Sequence, residues 1–338
     1  MDSLTCPVLV VGYKRQSEIC LVLNRIIDSG ASRIYVSLDG PKQNDPEDVA
    51  LCESTNQAVQ QLAKSFSGDF YISSSEVNLG SAENVIRSLD WFFSHENFGL
   101  ILEDDCLPDA SIFNYISTLR YLLEYPGVWL LSGYRPNVSE LNSIDYSFVS
   151  VPLSWGWATT AEHWQKMRFF IWADPKGSLL KAFLKGANAV FWGVGSRRAK
   201  RGWVDAWDIP LANAMLEYHG SALMPPVNLI SNVGTGLMAS NTDQPSKFLH
   251  SATQSWDIKS YPVPGFELLG VRRKMTSQIL EDKFILIKPY HRLRPLFTYT
   301  WDLLTSVRSG RGSLKSRIGN LVVGIINPEV LPGDQTQE

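Results

Sequence analysis

Three carboxylates in a row, Glu103-Asp104-Asp105, stand directly after the apolar run Phe98-Gly-Leu-Ile-Leu102. Adjacent carboxylates repel one another, so such a cluster is costly unless something positive stands with it. Oxygen donors suit Mg2+ or Mn2+, which take one or two carboxylates and complete their shell with substrate phosphates. An ion held between the cluster and a diphosphate would offset the charge that develops on a departing nucleoside diphosphate. The plainer reading is a solvated acidic turn, with Asp109 capping the next helix. The cluster's place at the carboxyl end of an expected strand favours the metal reading.

The elements that must position this cluster are legible in the first third of the chain. Pro7-Val-Leu-Val-Val-Gly12 is a continuous apolar run, short enough for a buried strand. A helical pattern follows, with Ile19, Val22, Leu23, Ile26 and Ile27 on one face and Gly30 at its end. Ile34–Leu38 is a second strand, closed by Asp39-Gly40-Pro41. A long helix over 47–66 leads to a strand at 69–73, and a helix over 81–95 leads to the strand at 98–102. Strands alternating with helices predict an α/β fold with a mainly parallel sheet and helices on both faces. Ligands bind such sheets at the carboxyl ends of the strands, so functional residues are expected just after Gly12, Leu38 and Leu102.

Further along, strands are expected at 128–131, 146–153 and 222–231, with helices over 160–167 and 207–219. The segment 235–250 is polar and turn-rich, as a lid would be. Gly193-Val-Gly195 lacks the third glycine of a dinucleotide fingerprint and reads as a loop.

The bulk properties exclude more than they select. A formal net charge of −3 over 338 residues, with 19% charged and 44% hydrophobic, gives no electrostatic call for nucleic acid. Eleven tryptophans supply flat apolar faces that serve either a core or a sugar. Cys6, Cys20, Cys52 and Cys106 show no metal-ligand spacing and fit reduced thiols in a cytoplasmic protein. No signal peptide is expected, and no run approaches the roughly 18 apolar residues of a spanning helix.

Taken in order, several short motifs resemble N-acetylglucosaminyltransferase I and related bacterial glycosyltransferases of the GT-A (nucleotide-diphospho-sugar transferase, Rossmann-like) type. They are Val8–Arg15, Val36–Gly40, Asn78-Leu-Gly80, Ile101–Asp109, Ser154–Ala158, Trp207-Asp208 and Pro225–Gly234. The resemblance covers about 7–235 and implies an inverting, Mn2+-dependent (or Mg2+-dependent) enzyme that uses a UDP-sugar. It implies Asp105 as the metal ligand, with Glu103 and Asp104 supporting the metal and the ribose. It places Arg15 near the diphosphate, Asp39 near the base and Asn78 in the donor-binding turn. Trp157, beside Gly156, is a candidate sugar contact, with a core strand tryptophan as the even alternative.

Inverting transfer needs a base for the acceptor hydroxyl. The resemblance assigns Asp208, with Asp205 as the alternative; a helix-capping role before Pro210 competes with it. The implied organisation is a catalytic domain over 1–250, divided into a nucleotide-binding half (1–133) and an acceptor half with lid (134–250). A basic, amphipathic appendage with a frayed tail follows over 251–338. That appendage is suited to peripheral contact with the anionic inner face of a membrane, where lipid-linked acceptors reside. The expected partners are therefore a nucleotide-sugar donor and a glycan or lipid-linked acceptor, as in surface polysaccharide synthesis. Two rivals stand beside this reading. A sugar-phosphate nucleotidyltransferase shares the layout but should carry a glycine-rich loop where Gly12-Tyr-Lys-Arg15 stands. A catalytically silent sugar-nucleotide-binding protein is the other.

Overall fold

The computed structural model describes residues 6–142, 144–172, 187–234 and 252–265, together with Thr276, Ser277 and Leu280. The expected lid over 235–250 and most of the basic appendage lie outside the described residues. The chain divides into two compact units. One draws on Met1–Lys166 and His219–Ile279, the other on Met167–Tyr218 and Leu280–Glu338.

The first unit is built on an eight-stranded mixed sheet in the order β3-β2-β1-β4-β8-β6-β9-β7. Its strands are β1 (Val8–Gly12), β2 (Arg33–Leu38), β3 (Asp69–Ser74), β4 (Phe98–Glu103), β6 (Val128–Ser132), β7 (Ser147–Val149), β8 (Trp157–Thr160) and β9 (Ser221–Met224). β3, β2, β1 and β4 run parallel, so their carboxyl ends share one edge. β8 runs antiparallel between β4 and β6, and β7 runs antiparallel to β9 at the far edge. A second, two-stranded sheet pairs β5 (Cys106–Pro108) with β10 (Ile230–Asn232).

Helices cover both faces. α1 (Gln16–Asp28) buries Ile19, Val22, Leu23 and Ile26, the stripe that its spacing predicted. Together with Val59 of α2 (Pro46–Ser65), these pack on Val8, Val10, Ile34, Val36, Leu100 and Leu102, which share one side of the parallel strands. α3 (Ser81–Phe93) lies on the other side, where Ser88 Oγ donates to Ser37 Oγ at 2.7 Å. Trp91 and Phe92 meet the Tyr35 ring edge-on at 5.3 and 5.1 Å. Burying each of these large apolar side chains stabilises the fold by about 1.5–3 kcal/mol. α4 (Ile112–Leu119) follows β5, with Ser111 at its N-cap position. Asp109 accepts from the Ser111 N–H at 2.9 Å and its hydroxyl at 2.6 Å, so it supports the start of α4 as expected of a capping aspartate. α5 (Ala161–Trp172) begins directly after β8.

Three expectations require correction. The expected strand over 222–231 is two strands, β9 and β10, because Pro225-Pro226 lacks the two backbone donors a ladder would need. The strand expected over 146–153 is three residues long. The segment read as a loop around Gly193 is helical, within α6 (Ala187–Lys200) of the second unit. Two glycines weaken a helix by about 1 kcal/mol each, but here Val194 is fully buried and a Cβ on Gly195 would press on Ile209. The small residue thus permits close approach to α7 (Asp208–Glu217), and tertiary packing overrides propensity.

Gly156, at the entry to β8, has φ of +59°, and a Cβ there would run into Ile230 and Leu102. Its carbonyl accepts from Gly133 N–H at 2.6 Å. Gly156→Ala is expected to lower stability by about 1–3 kcal/mol, through backbone strain and overpacking together. Urea unfolding checks this, with a reduced midpoint at unchanged slope as the expected result.

Candidate functional site

The site is assembled by three strand ends and the ladder that continues past them. Asp39 N–H donates to Gly12 O at 2.9 Å, and Asp104 N–H donates to Val11 O at 2.9 Å. The sheet thus sets the residues after β2 and β4 beside the turn after β1. That turn is short: Tyr13 and Lys14 bridge Gly12 to Arg15, and α1 starts at Gln16.

Arg15 is the centre of the constellation. Its Nη2 donates to Asp104 Oδ1 at 2.5 Å and its Nη1 to Asp105 Oδ2 at 2.9 Å. Asp104 also accepts from Tyr13 N–H at 3.3 Å. The side chains of Arg15, Asp104 and Asp105 are 13%, 4% and 13% exposed, so this is a sheltered ion triad. Desolvation works against the Arg15 charge, but the two carboxylates outweigh it and hold the guanidinium protonated. Burial pushes Asp104 up to about 6, with Asp105 adding to the rise and Arg15 opposing it. The two shifts pull in opposite senses on one pair. The two short bonds from Arg15 favour the ionised form of Asp104, because a charged acceptor binds a guanidinium more strongly than a neutral one. One guanidinium against two carboxylates leaves a net negative charge.

Asp105 is fixed from its backbone as well. Its carbonyl accepts from Val233 N–H at 2.8 Å, as β10 runs antiparallel to β5. The chain at Gly234 then lies flush on the triad, where a Cβ would collide with the Asp105 carboxylate and Arg15 Nη1.

Asp39 is buried, and its carboxylate accepts from at least four donors. Gly40 N–H (2.9 Å) and Leu79 N–H (2.8 Å) reach Oδ1; Asn78 Nδ2 (3.0 Å) and Gly80 N–H (3.2 Å) reach Oδ2. An ionised carboxylate has about four acceptor positions, so these protein donors match its capacity. The Asn78 amide also donates to Gly40 O at 3.0 Å. In this geometry Asp39 and Asn78 fasten the turn before α3 to the end of β2. Glu103 is the last residue of β4 and is half-buried.

Trp157 does not line an opening. It is 1% exposed, in a strand paired with β4 and β6, which makes it a core tryptophan. Space that the small Gly156 was expected to leave for a sugar is taken by Ile230 and Leu102. Trp155 is the less buried of the two, with its ring 4.8 Å from that of Tyr134.

A charged group that spacing alone missed is Asp48, in the first turn of α2. It accepts from Lys14 Nζ at 2.6 Å, Lys42 N–H at 2.7 Å and the Tyr13 hydroxyl. Burial alone would raise its pKa, but these three donors prevail and hold it at about 2. Asp48 thus anchors the turn that ends in Arg15. The available signal was a Tyr-Lys pair between a strand end and Arg15, which has no fixed spacing to its acid.

Asp208 belongs to the second unit, at the first residue of α7, with Trp207 at the N-cap position and no side-chain cap. Its Oδ1 accepts from Ile209 N–H at 3.0 Å. The residue is exposed, yet crowding by the surrounding chain raises its carboxyl above the ordinary range, against the pull of the Asp208 and Ile209 amides. Asp205 is also exposed.

Among the described residues, no three His, Cys, Asp or Glu side chains converge as a closed metal cage. The site instead offers two carboxylates gathered on one cationic group. Hard divalent ions that are bound by only one or two carboxylates complete their shell with substrate phosphates.

No family model matches the sequence, and no curated protein matches it. Solved structures do resemble it. A cytidylyltransferase from Leptospira borgpetersenii aligns with 49% of this chain at 12% identity and TM-score 0.30; this chain spans 64% of that protein's length. A protein from Bacillus anthracis assigned as a glucose-1-phosphate thymidylyltransferase aligns with 72% of this chain and 99% of its own, at 10% identity and TM-score 0.36. The 4-diphosphocytidyl-2C-methyl-D-erythritol synthase of Anaerococcus prevotii aligns with 64% of this chain and 100% of its own, at 9% identity and TM-score 0.31. The first two bear nucleotidyltransferase names, and none of the three is named an N-acetylglucosaminyltransferase. Likeness this distant says nothing of the substrate.

Two outcomes follow from the hydrogen bonds. Asp39→Ala removes the acceptor of the buried Gly40 amide and of three donors in the half-buried turn at 78–80, each costing about 1–3 kcal/mol where water does not replace the carboxylate; a total loss of roughly 3 kcal/mol or more is expected in urea unfolding. Asp48, whose pKa is depressed on folding, contributes stability above the unfolded value of about 3.9. That contribution fades as pH falls toward about 2. Acid unfolding curves of wild type and Asp48→Asn should therefore converge at the acid end of that window.

Proposed function

We propose that the chain binds a nucleotide-sugar, with UDP as the nucleotide, at the carboxyl edge of β1, β2 and β4. It transfers the sugar with inversion onto an acceptor hydroxyl. The observation that carries this reading is the gathering of Asp104 and Asp105 on Arg15 at that edge. Asp105 would hold Mn2+ or Mg2+, with Asp104 and Glu103 in support, and the bound ion would supply neutralising charge for the diphosphate. Arg15 suits the diphosphate because its planar fork matches phosphate oxygens two at a time. Asp39 and Asn78 shape the turn against which the base would lie.

Asp208 is the proposed base. As the acceptor oxygen bonds to the anomeric carbon, its proton passes to the Asp208 carboxylate. The bond from that carbon to the diphosphate breaks, and the nucleoside diphosphate leaves with the electron pair. A carboxyl raised above its usual range is the better base near neutral pH. Asp205 is the alternative.

The second reading is nucleotidyl transfer onto a sugar phosphate, the kind of reaction that the names of two structural neighbours denote. Against it stands the turn after β1, which is Tyr13-Lys14-Arg15 and carries no glycine-rich phosphate cradle. The acceptor is proposed to be a glycan or lipid-linked sugar in surface polysaccharide synthesis. Access to it would come from the cytoplasm, at the inner face of the membrane, by way of the basic C-terminal segment. Among the described residues no helix is long and apolar enough to cross a membrane.

The two readings part on product. With UDP-sugars and Mn2+, glycosyl transfer or slow hydrolysis releases UDP; with a sugar 1-phosphate and a nucleoside triphosphate, nucleotidyl transfer releases pyrophosphate. UDP release is expected, and pyrophosphate release in its place refutes the first reading. Asp208→Asn should retain UDP affinity while turnover falls about 10²–10⁴-fold. Because the base must be deprotonated, turnover in wild type should fall with acidification through a value above the ordinary aspartate pKa of about 3.9.

A further inference from the structure

Arg15 occupies one oxygen of each aspartate to which a cation would bind, while the other Asp105 oxygen meets only the Cys106 thiol, at 3.6 Å. The two Arg15 donor nitrogens engage one oxygen of Asp104 at 2.5 Å and one of Asp105 at 2.9 Å. With the three side chains only 13%, 4% and 13% exposed, there is little room for a second, hydrated cation beside the guanidinium. The backbone also crowds this pair: Val233 N–H holds the main-chain carbonyl of Asp105, and Gly234 lies against the carboxylate and Arg15 Nη1. Divalent ions of this class give up their water reluctantly and need the carboxylate oxygen free. A diphosphate, by contrast, offers Arg15 an anionic partner that its fork fits in pairs.

We infer that Arg15 and a divalent cation compete for Asp105, and that a nucleoside diphosphate resolves the competition by taking Arg15 as its own partner. This rests on the reading of Asp105 as the metal position. Arg15 is then more than a phosphate contact. It is an internal counterion that keeps the acidic pair paired when no nucleotide is bound, and it makes metal and nucleotide uptake mutually dependent. Such coupling is reciprocal: whatever factor UDP adds to the affinity for metal, the metal adds to the affinity for UDP.

The test is direct Mn2+ binding to the full chain, followed by electron paramagnetic resonance with and without UDP, after subtraction of binding by UDP alone. Wild type is expected to take up Mn2+ weakly by itself and roughly tenfold or more tightly with UDP, within the usual span of coupling factors. Arg15→Gln should bind Mn2+ alone about tenfold more tightly than wild type and gain little from UDP, because the coupling has been removed. Arg15→Lys, which keeps the charge but loses the fork, should fall between them. The same ordering is expected in the rise of melting temperature on adding Mn2+ alone, since an ion that binds only the folded chain stabilises it. If Arg15→Gln and Arg15→Lys bind Mn2+ alone no better than wild type, while wild type with UDP binds it well, the competition is refuted and the metal site stands. If Asp105→Asn binds Mn2+ as well as wild type in the presence of UDP, or no form binds it at all, the metal reading itself fails and takes this inference with it.

Discussion

The arrangement at the sheet's carboxyl edge depends on one electrostatic constraint: two adjacent aspartates, largely withdrawn from water, must share a positive charge. Arg15 supplies it in this structure. Removing one partner of such a pair strands the others, at a cost of about 3–5 kcal/mol for a buried ion pair. Much of the surrounding architecture serves to keep that meeting in place. The parallel pairing of β1 with β4 brings Arg15 and Asp104 to the same edge. The small β5–β10 sheet holds Asp105 from behind, and the Lys14–Asp48 pair steadies the turn that leads into Arg15.

The same constraint explains why the site is polar without being open. A guanidinium shared by two carboxylates lowers the penalty of buried charge without removing it. The triad retains one uncompensated negative charge, which under the proposed function a diphosphate-bound cation would satisfy. A site of this kind is stable without ligand and still electrostatically biased toward one. Asp39 illustrates a different solution a few residues away. Its buried carboxylate accepts from the Gly40 amide beside it and from three neutral donors of the turn at 78–80. That fixes local shape and leaves little capacity for a ligand.

Several elements were legible because their signals are local. β1, α1, β2, α2, β3, α3 and β4 follow from apolar periodicity, and their observed ends lie within two residues of those expected. Where the sequence misled, a nonlocal term was responsible. α6 forms despite Gly193 and Gly195 because packing rewards the close approach of α7. Trp157 read as a candidate sugar contact because an exposed and a buried tryptophan look alike until the strand's neighbours are known; between β4 and β6 it has no surface.

The sequence by itself determined the alternation of strands and helices, and hence which residues stand at strand ends. That followed because periodicity and turn chemistry act over a few residues. From it came Arg15, Asp39 and the Glu103–Asp105 cluster as positions of interest. Only the tertiary structure decided their partners. Arg15 meets Asp104 and Asp105 across roughly ninety residues, and Asp39 meets the turn at 78–80 across about forty. No spacing rule encodes such distances. Pairing between charges is set by sheet order and by which groups burial forces to find a counterpart, and both are properties of the folded chain as a whole.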